Sequence, residues 1–147
     1  MRDKESFIIP YGWISAYANL LNIENTKISE LKLTNNGILF KYNDMPVTID
    51  PARFSDSATV FFYEDYKFLN VKDMDVIDIG MNIGDSSIYF SMNGAKRVIG
   101  LEPYPYAFSF AEKNVKLNGI NNIILLNSGY GKDSNVVIDQ GKISGTG

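Results

Sequence analysis

The chain contains no cysteine and no histidine. Without thiols there is no disulfide, no zinc-thiolate site and no cysteine nucleophile. Without imidazole, Ser-His-Asp triads, histidine metal ligands and the commonest general base are excluded. Acid-base chemistry would fall to a carboxylate, a lysine or a tyrosine. Long apolar runs are missing too: no stretch approaches the ~20 residues a membrane-spanning helix needs. Met1 to Ser6 mix both charge signs, and only Phe7 to Pro10 follow before Tyr11-Gly12, too few for a signal-peptide core. The default compartment is the cytoplasm, which the missing cysteine fits.

Basic charge is also in short supply. Fourteen Lys and Arg against 17 Asp and Glu give a net charge of -3. No global basic field draws such a chain to nucleic acid, so a nucleic-acid partner is not expected. What is present is a globular composition: 147 residues, 45% hydrophobic and 21% charged. That is enough for one domain burying roughly two-thirds of its unfolded surface.

The pattern changes near residue 70. Trp13, Ile14, Tyr17, Leu20 and Leu21 recur at three-to-four spacing and predict an amphipathic helix within 11–25. Alternation then takes over, with Leu31 and Leu33, then Ile38, Phe40 and Tyr42, then Val47 and Ile49. Turn signals at Asn35-Asn36-Gly37 and Asn43-Asp44-Met45-Pro46 separate the runs. This predicts a three-stranded antiparallel meander over about 28–50. Residues 56–69 are apolar and aromatic and favour a helix.

Beyond Asp75 the reading is strand, helix, strand, helix, strand. Val76-Ile77-Asp78-Ile79, Arg97 to Leu101 and Ile123 to Leu126 are short apolar runs suited to strands buried on both faces. Asp85-Ser86-Ser87 offers helix-capping chemistry, and Asn93-Gly94 a helix end. Pro105 suits a first helical turn, Ala107, Phe108, Ala111 and Val115 make a stripe, and Gly119 caps it. The alternation predicts right-handed crossovers and a parallel sheet. Val136 to Ser144 reads as a hairpin.

In such sheets ligands bind beyond the carboxyl ends of the strands. The first end carries Asp78-Ile79-Gly80-Met81-Asn82-Ile83-Gly84-Asp85, whose glycines allow a tight turn near a ligand. Its spacing is not the G-x-G-x-x-G of dinucleotide binders. The second ends in Glu102, an acid placed to accept hydrogen bonds from a ribose diol. The third ends in Asn127-Ser128-Gly129. Singly, each has an ordinary explanation. Glycine turns are common, Glu102 could be a solvated loop acid, and Asn114 is a structural amide satisfying nearby backbone. Their coincidence at three successive strand ends points to one pocket.

Val76 to Ser87 resembles the first nucleotide-loop motif of FkbM-type methyltransferases. Val98-Ile99-Gly100-Leu101-Glu102-Pro103-Tyr104-Pro105 resembles that family's second motif, and Asn114 with Leu117-Asn118-Gly119 its next helix. The resemblance covers about 60–130, and Met81 stands where alanine is usual. It implies an α/β, Rossmann-like, S-adenosylmethionine-binding fold. It implies that Asp78, Gly80, Asn82 and Gly84, with Asp85, line the methionine side of the cofactor. Glu102 would hold the ribose hydroxyls, Pro103 and Tyr104 would border the adenine, and Asn127 and Ser128 would sit at its edge. It further implies O-methyl transfer to a small molecule or sugar. No catalytic residue and no metal are assigned.

The family's acidic fourth-strand motif has no match here, and the 72 residues from Val76 to Gly147 are too few for a seven-stranded sheet. The expectation is an N-terminal α+β extension, 1–55, before a partial S-adenosylmethionine-binding domain, 56–147, of a longer protein. Alone, these residues are expected not to transfer a methyl group, and the unpaired sheet edge to favour homo-oligomers. Two alternatives remain open. Tyr106 to Gly119 also resembles a helix of tRNA guanine methyltransferases, and a non-enzymatic domain could act through partner binding.

Overall fold

The computed structural model describes residues 11–50 and 58–131. Helix α1 (Tyr11–Leu20) forms within the predicted span and buries Ala16 and Leu20. Ile14 and Leu21, expected on its inner face, lie outward. The Tyr17 hydroxyl donates to the Leu31 carbonyl at 3.1 Å and ties α1 to the first strand.

The meander is β1 (Ile28–Thr34), β2 (Gly37–Tyr42) and β3 (Met45–Ile49), antiparallel in that order. Ile38, Phe40 and Tyr42 all turn into the core, as a period of two requires. The second turn is tighter than the sequence suggests. Asn43 and Asp44 both take positive φ, 49° and 63°, which matches the twist of the flanking strands. Met45 and Pro46 therefore belong to β3, with Pro46 opposite Lys41. Proline is tolerated there because β3 is an edge strand.

The helix expected over 56–69 is reduced, in its described part, to one π-helical turn, Ala58–Phe62. Val60, Phe61 and Phe62 are buried in succession, which one inward face of a continuing α-helix does not allow. Phe61 and Phe62 meet Phe40 edge-on, with centroids 5.3 and 5.1 Å away. Asn25 Nδ2 donates to the Phe61 and Phe62 carbonyls at 3.3 and 3.0 Å, taking up acceptors that a longer helix would have used.

The second half alternates as predicted: β4 (Asp75–Ile79), α2 (Asp85–Met92), β5 (Arg97–Leu101), α3 (Pro105–Leu117) and β6 (Ile123–Leu126). The strands are parallel in the order β4-β5-β6, a Rossmann-like α/β arrangement. Pro105 opens α3, and Asn93 with Gly94 at φ 88° closes α2. Burial on both faces does not hold: Ile77 is 67% exposed and Ile124 46%. Two right-handed crossovers advancing in one direction put both helices on the same face. The hairpin expected over Val136 to Ser144 and the division at 55/56 lie outside the described residues. Among the described residues no helix is long and apolar enough to cross a membrane.

Amide side chains join the two sheets. Asn114 is fully buried on α3; its Oδ1 accepts the Asp50 N–H at 2.8 Å and its Nδ2 donates to the Ile83 carbonyl at 3.0 Å. One turn on, Asn118 accepts the Thr48 N–H and donates to the Thr48 carbonyl, both at 2.8 Å, as a neighbouring strand would. Lys113 pairs with the buried Asp50 carboxylate at 2.5 Å. The structural role expected for Asn114 is thus observed. Replacing it by Ala leaves two buried backbone groups unpaired, so Asn114→Ala should cost about 2–3 kcal/mol in urea-unfolding experiments.

A second polar network lies under the meander, where the Tyr42 hydroxyl and Lys27 both donate to Glu64 Oε1, at 3.0 and 2.6 Å. Burial first, then the hydrogen bond with Tyr42, holds the Tyr89 hydroxyl protonated well above its ordinary value of 10.0. The unfolded chain releases that proton near pH 10, before the folded chain does. The contribution is complete below that pH and is lost as pH rises through the folded value. The thermal midpoint, followed by circular dichroism, should fall above about pH 10, and less steeply in Tyr89→Phe.

Candidate functional site

The loop after β4 folds over the end of β5: the N–H groups of Gly80 and Met81 both donate to the Leu101 carbonyl, at 2.8 and 3.1 Å. Asn82 and Gly84 take positive φ, 51° and 82°. Gly84 also lies against α3, where a Cβ would stand 3.1 Å from that of Ala111. Met81 is fully buried. Gly100 makes the room, since a Cβ on it would stand 2.3 Å from Met81 Sδ and 2.9 Å from Ser87 Oγ.

The helix start differs from expectation. The cap position of α2 is Gly84, and no side chain caps it. Ser86 and Ser87 instead send their hydroxyls to Asp78 Oδ2, at 2.7 and 2.6 Å. Asp85 is buried, with Oδ1 accepting the Ser86 N–H at 3.0 Å.

Glu102 is not a solvated acid. It is 8% exposed, and its Oε2 and Oε1 accept the N–H groups of Asn82 at 3.0 Å and Tyr104 at 2.8 Å. One carboxylate thus braces the loops at the ends of β4 and β5. Asn127 donates to the Glu102 carbonyl at 2.8 Å, which ties in the end of β6. The three segments named from sequence are therefore brought together. Beside them lies a mainly apolar cleft of about 310 Å³, lined by Ile79, Gly80, Leu101, Pro103, Ser128 and the exposed Tyr130. A more open depression of about 560 Å³, beside Asn25 and Glu64, shares no residue with the strand ends.

Tyr66 was missed in the sequence. Its ring packs on Phe90 and Tyr89, with centroids 5.1 and 6.3 Å away. Burial, then the negative charges of Asp78 and Asp85, pushes its hydroxyl above the ordinary value. Tyr66 therefore belongs to the electrostatic surroundings of the glycine loop. Nothing in its local pattern marks it, because the fold around the π turn brings it there. Among the described residues no group of three acids could hold a metal. Chemically, the arrangement offers two fixed carboxylates, a helix N-terminus and an apolar cleft.

No family model matches the chain. It is 42% identical over 53 residues to a protein N5-glutamine methyltransferase of Methanocaldococcus jannaschii, covering 36% of this chain and 27% of that protein. It is 30% identical over 107 residues to an RNA methyltransferase of Oceanobacillus iheyensis, covering 69% and 23%. A ribosomal protein L11 methylase structure from Lactobacillus delbrueckii subsp. bulgaricus gives a TM-score of 0.42 at 28% identity, covering 56% and 42%. The chain spans about a quarter of the length of the two curated relatives. It is thus similar to methyltransferases. These relatives overturn the expectation of a small-molecule or sugar acceptor with nucleic acid unlikely, since they are named for protein glutamine and for RNA. The reason is physical: the acceptor surface is not encoded in the strand-end motifs, and net charge alone does not report it.

The double brace by Glu102 has a measurable consequence. Glu102→Ala should lower stability by about 1–3 kcal/mol in chemical unfolding, because two N–H groups lose their acceptor. A solvated loop acid would leave stability unchanged within about 0.5 kcal/mol.

Proposed function

We propose that the chain is the cofactor-binding part of an S-adenosylmethionine-dependent methyltransferase acting on a protein or RNA acceptor, its loop being of FkbM type. The observation that carries the reading is the Glu102 brace, which draws two strand-end loops around one cleft. The relatives support methyl transfer and a macromolecular acceptor.

The residues fit such a cofactor chemically. Asp78 offers a carboxylate to an ammonium group. Gly80, with nothing within 4 Å of where its Cβ would stand, leaves the loop backbone open to a ligand. Gly84 and Asp85 open α2, whose positive dipole end favours a ligand carboxylate nearby. Both Glu102 oxygens keep a second lone pair for ribose hydroxyls. Asn82 sets the loop that Glu102 holds. Pro103, Tyr104, Asn127 and Ser128 would border the adenine, Pro103 and Ser128 as walls of the cleft. The bound group supplies a methyl on a sulfonium, and the protein's task is alignment with the acceptor. We assign residues 1–55 to an N-terminal extension and 56–147 to the cofactor domain.

Titration calorimetry of the 147-residue chain should show binding of S-adenosylhomocysteine and none of NAD. Glu102→Ala should weaken that binding about tenfold or more, as loss of charge-assisted bonds does. Tight NAD binding without a response to S-adenosylhomocysteine would overturn the assignment.

A further inference from the structure

We infer that Ser86 and Ser87 are positioning residues of the cofactor site, holding the Asp78 carboxylate so that Oδ1 is presented to the ammonium group of the bound amino-acid moiety. The inference rests on the cofactor reading above and goes beyond it in naming what orients Asp78.

Both hydroxyls point at the same oxygen, Oδ2, at 2.7 and 2.6 Å. A hydroxyl has one proton to donate, and a carboxylate oxygen has two lone pairs, so Oδ2 is saturated by this pair. Neither serine is a surface group: Ser86 is 6% exposed and Ser87 fully buried. Helical serines often turn back to the carbonyl four residues earlier. For Ser87 that is Ile83, whose carbonyl already accepts from Asn114 Nδ2 at 3.0 Å. Gly100 leaves the space in which the Ser87 hydroxyl stands. Among the described residues no lysine or arginine forms an ion pair with Asp78. A half-buried carboxylate is thus fixed through one oxygen by neutral donors, and its charge is left for a cationic ligand. A purely structural role, pinning α2 to β4, would be indifferent to which ligand occupies the site.

Calorimetry with two probes separates the roles. S-adenosylhomocysteine carries the ammonium group; 5′-methylthioadenosine keeps the adenosine and lacks the amino-acid moiety. In Ser86→Ala and Ser87→Ala, affinity for S-adenosylhomocysteine should fall about five- to tenfold, as loss of a hydrogen bond to a charged group does. Affinity for methylthioadenosine should stay within about twofold. Ser86→Thr, which keeps the hydroxyl, should restore binding. If Ser87→Ala does not fold, the more exposed Ser86→Ala carries the test. Equal weakening of both ligands, or no weakening of either, overturns the inference while leaving the cofactor assignment standing. A wild-type chain that binds neither probe overturns the cofactor assignment, and the inference with it.

Discussion

The buried amide of Asn114 is the constraint on which the two halves depend. It occupies one backbone N–H of the meander, at Asp50, and one carbonyl of the glycine loop, at Ile83. An amide carries both a donor and an acceptor, so a single side chain can bridge groups of opposite kind. A hydrophobic residue of the same size would leave both unpaired at a fully buried position. With Asn118 bonding both backbone groups of Thr48, α3 acts as a neighbour to the edge strand β3. The hydrophobic core is correspondingly continuous from Ala16 in α1 to Val115 in α3.

The same economy governs the strand ends. Asp78 and Glu102 are held by hydrogen bonds from the protein itself, two hydroxyls for one and two backbone N–H groups for the other. Loops braced in this way lose less conformational freedom when a ligand arrives. Their carboxylates retain lone pairs, so bracing and binding are compatible uses of one side chain. Tyr66 packs on Phe90 of α2, and burial, then the charges of Asp78 and Asp85, pushes its hydroxyl above the ordinary value.

Much of this was legible in the sequence. Period-two alternation located all three meander strands, and the β-branched runs located the parallel ones. The failures have physical causes. The run 56–69 reads as helical, yet its described part holds only one π turn, with Val60, Phe61 and Phe62 crowded into the core. Ile77 and Ile124 were expected to be covered on both faces, but apolar composition does not say on which side the helices fall. Asp85-Ser86-Ser87 reads as capping chemistry in the sequence, because a hydroxyl's partner is not visible when it lies eight or nine residues away across a turn.

What the sequence alone determined is the order of elements and the place of the strand-end motifs. Both depend on periodicity and on glycine, proline and asparagine acting over a few residues. What only the tertiary structure decided is the partnership of distant groups: Glu102 with Asn82, Asn114 with Asp50, Asn118 with Thr48. These partnerships depend on how strands align and helices cross. That geometry is fixed by packing across the whole core, and no local window of residues contains it.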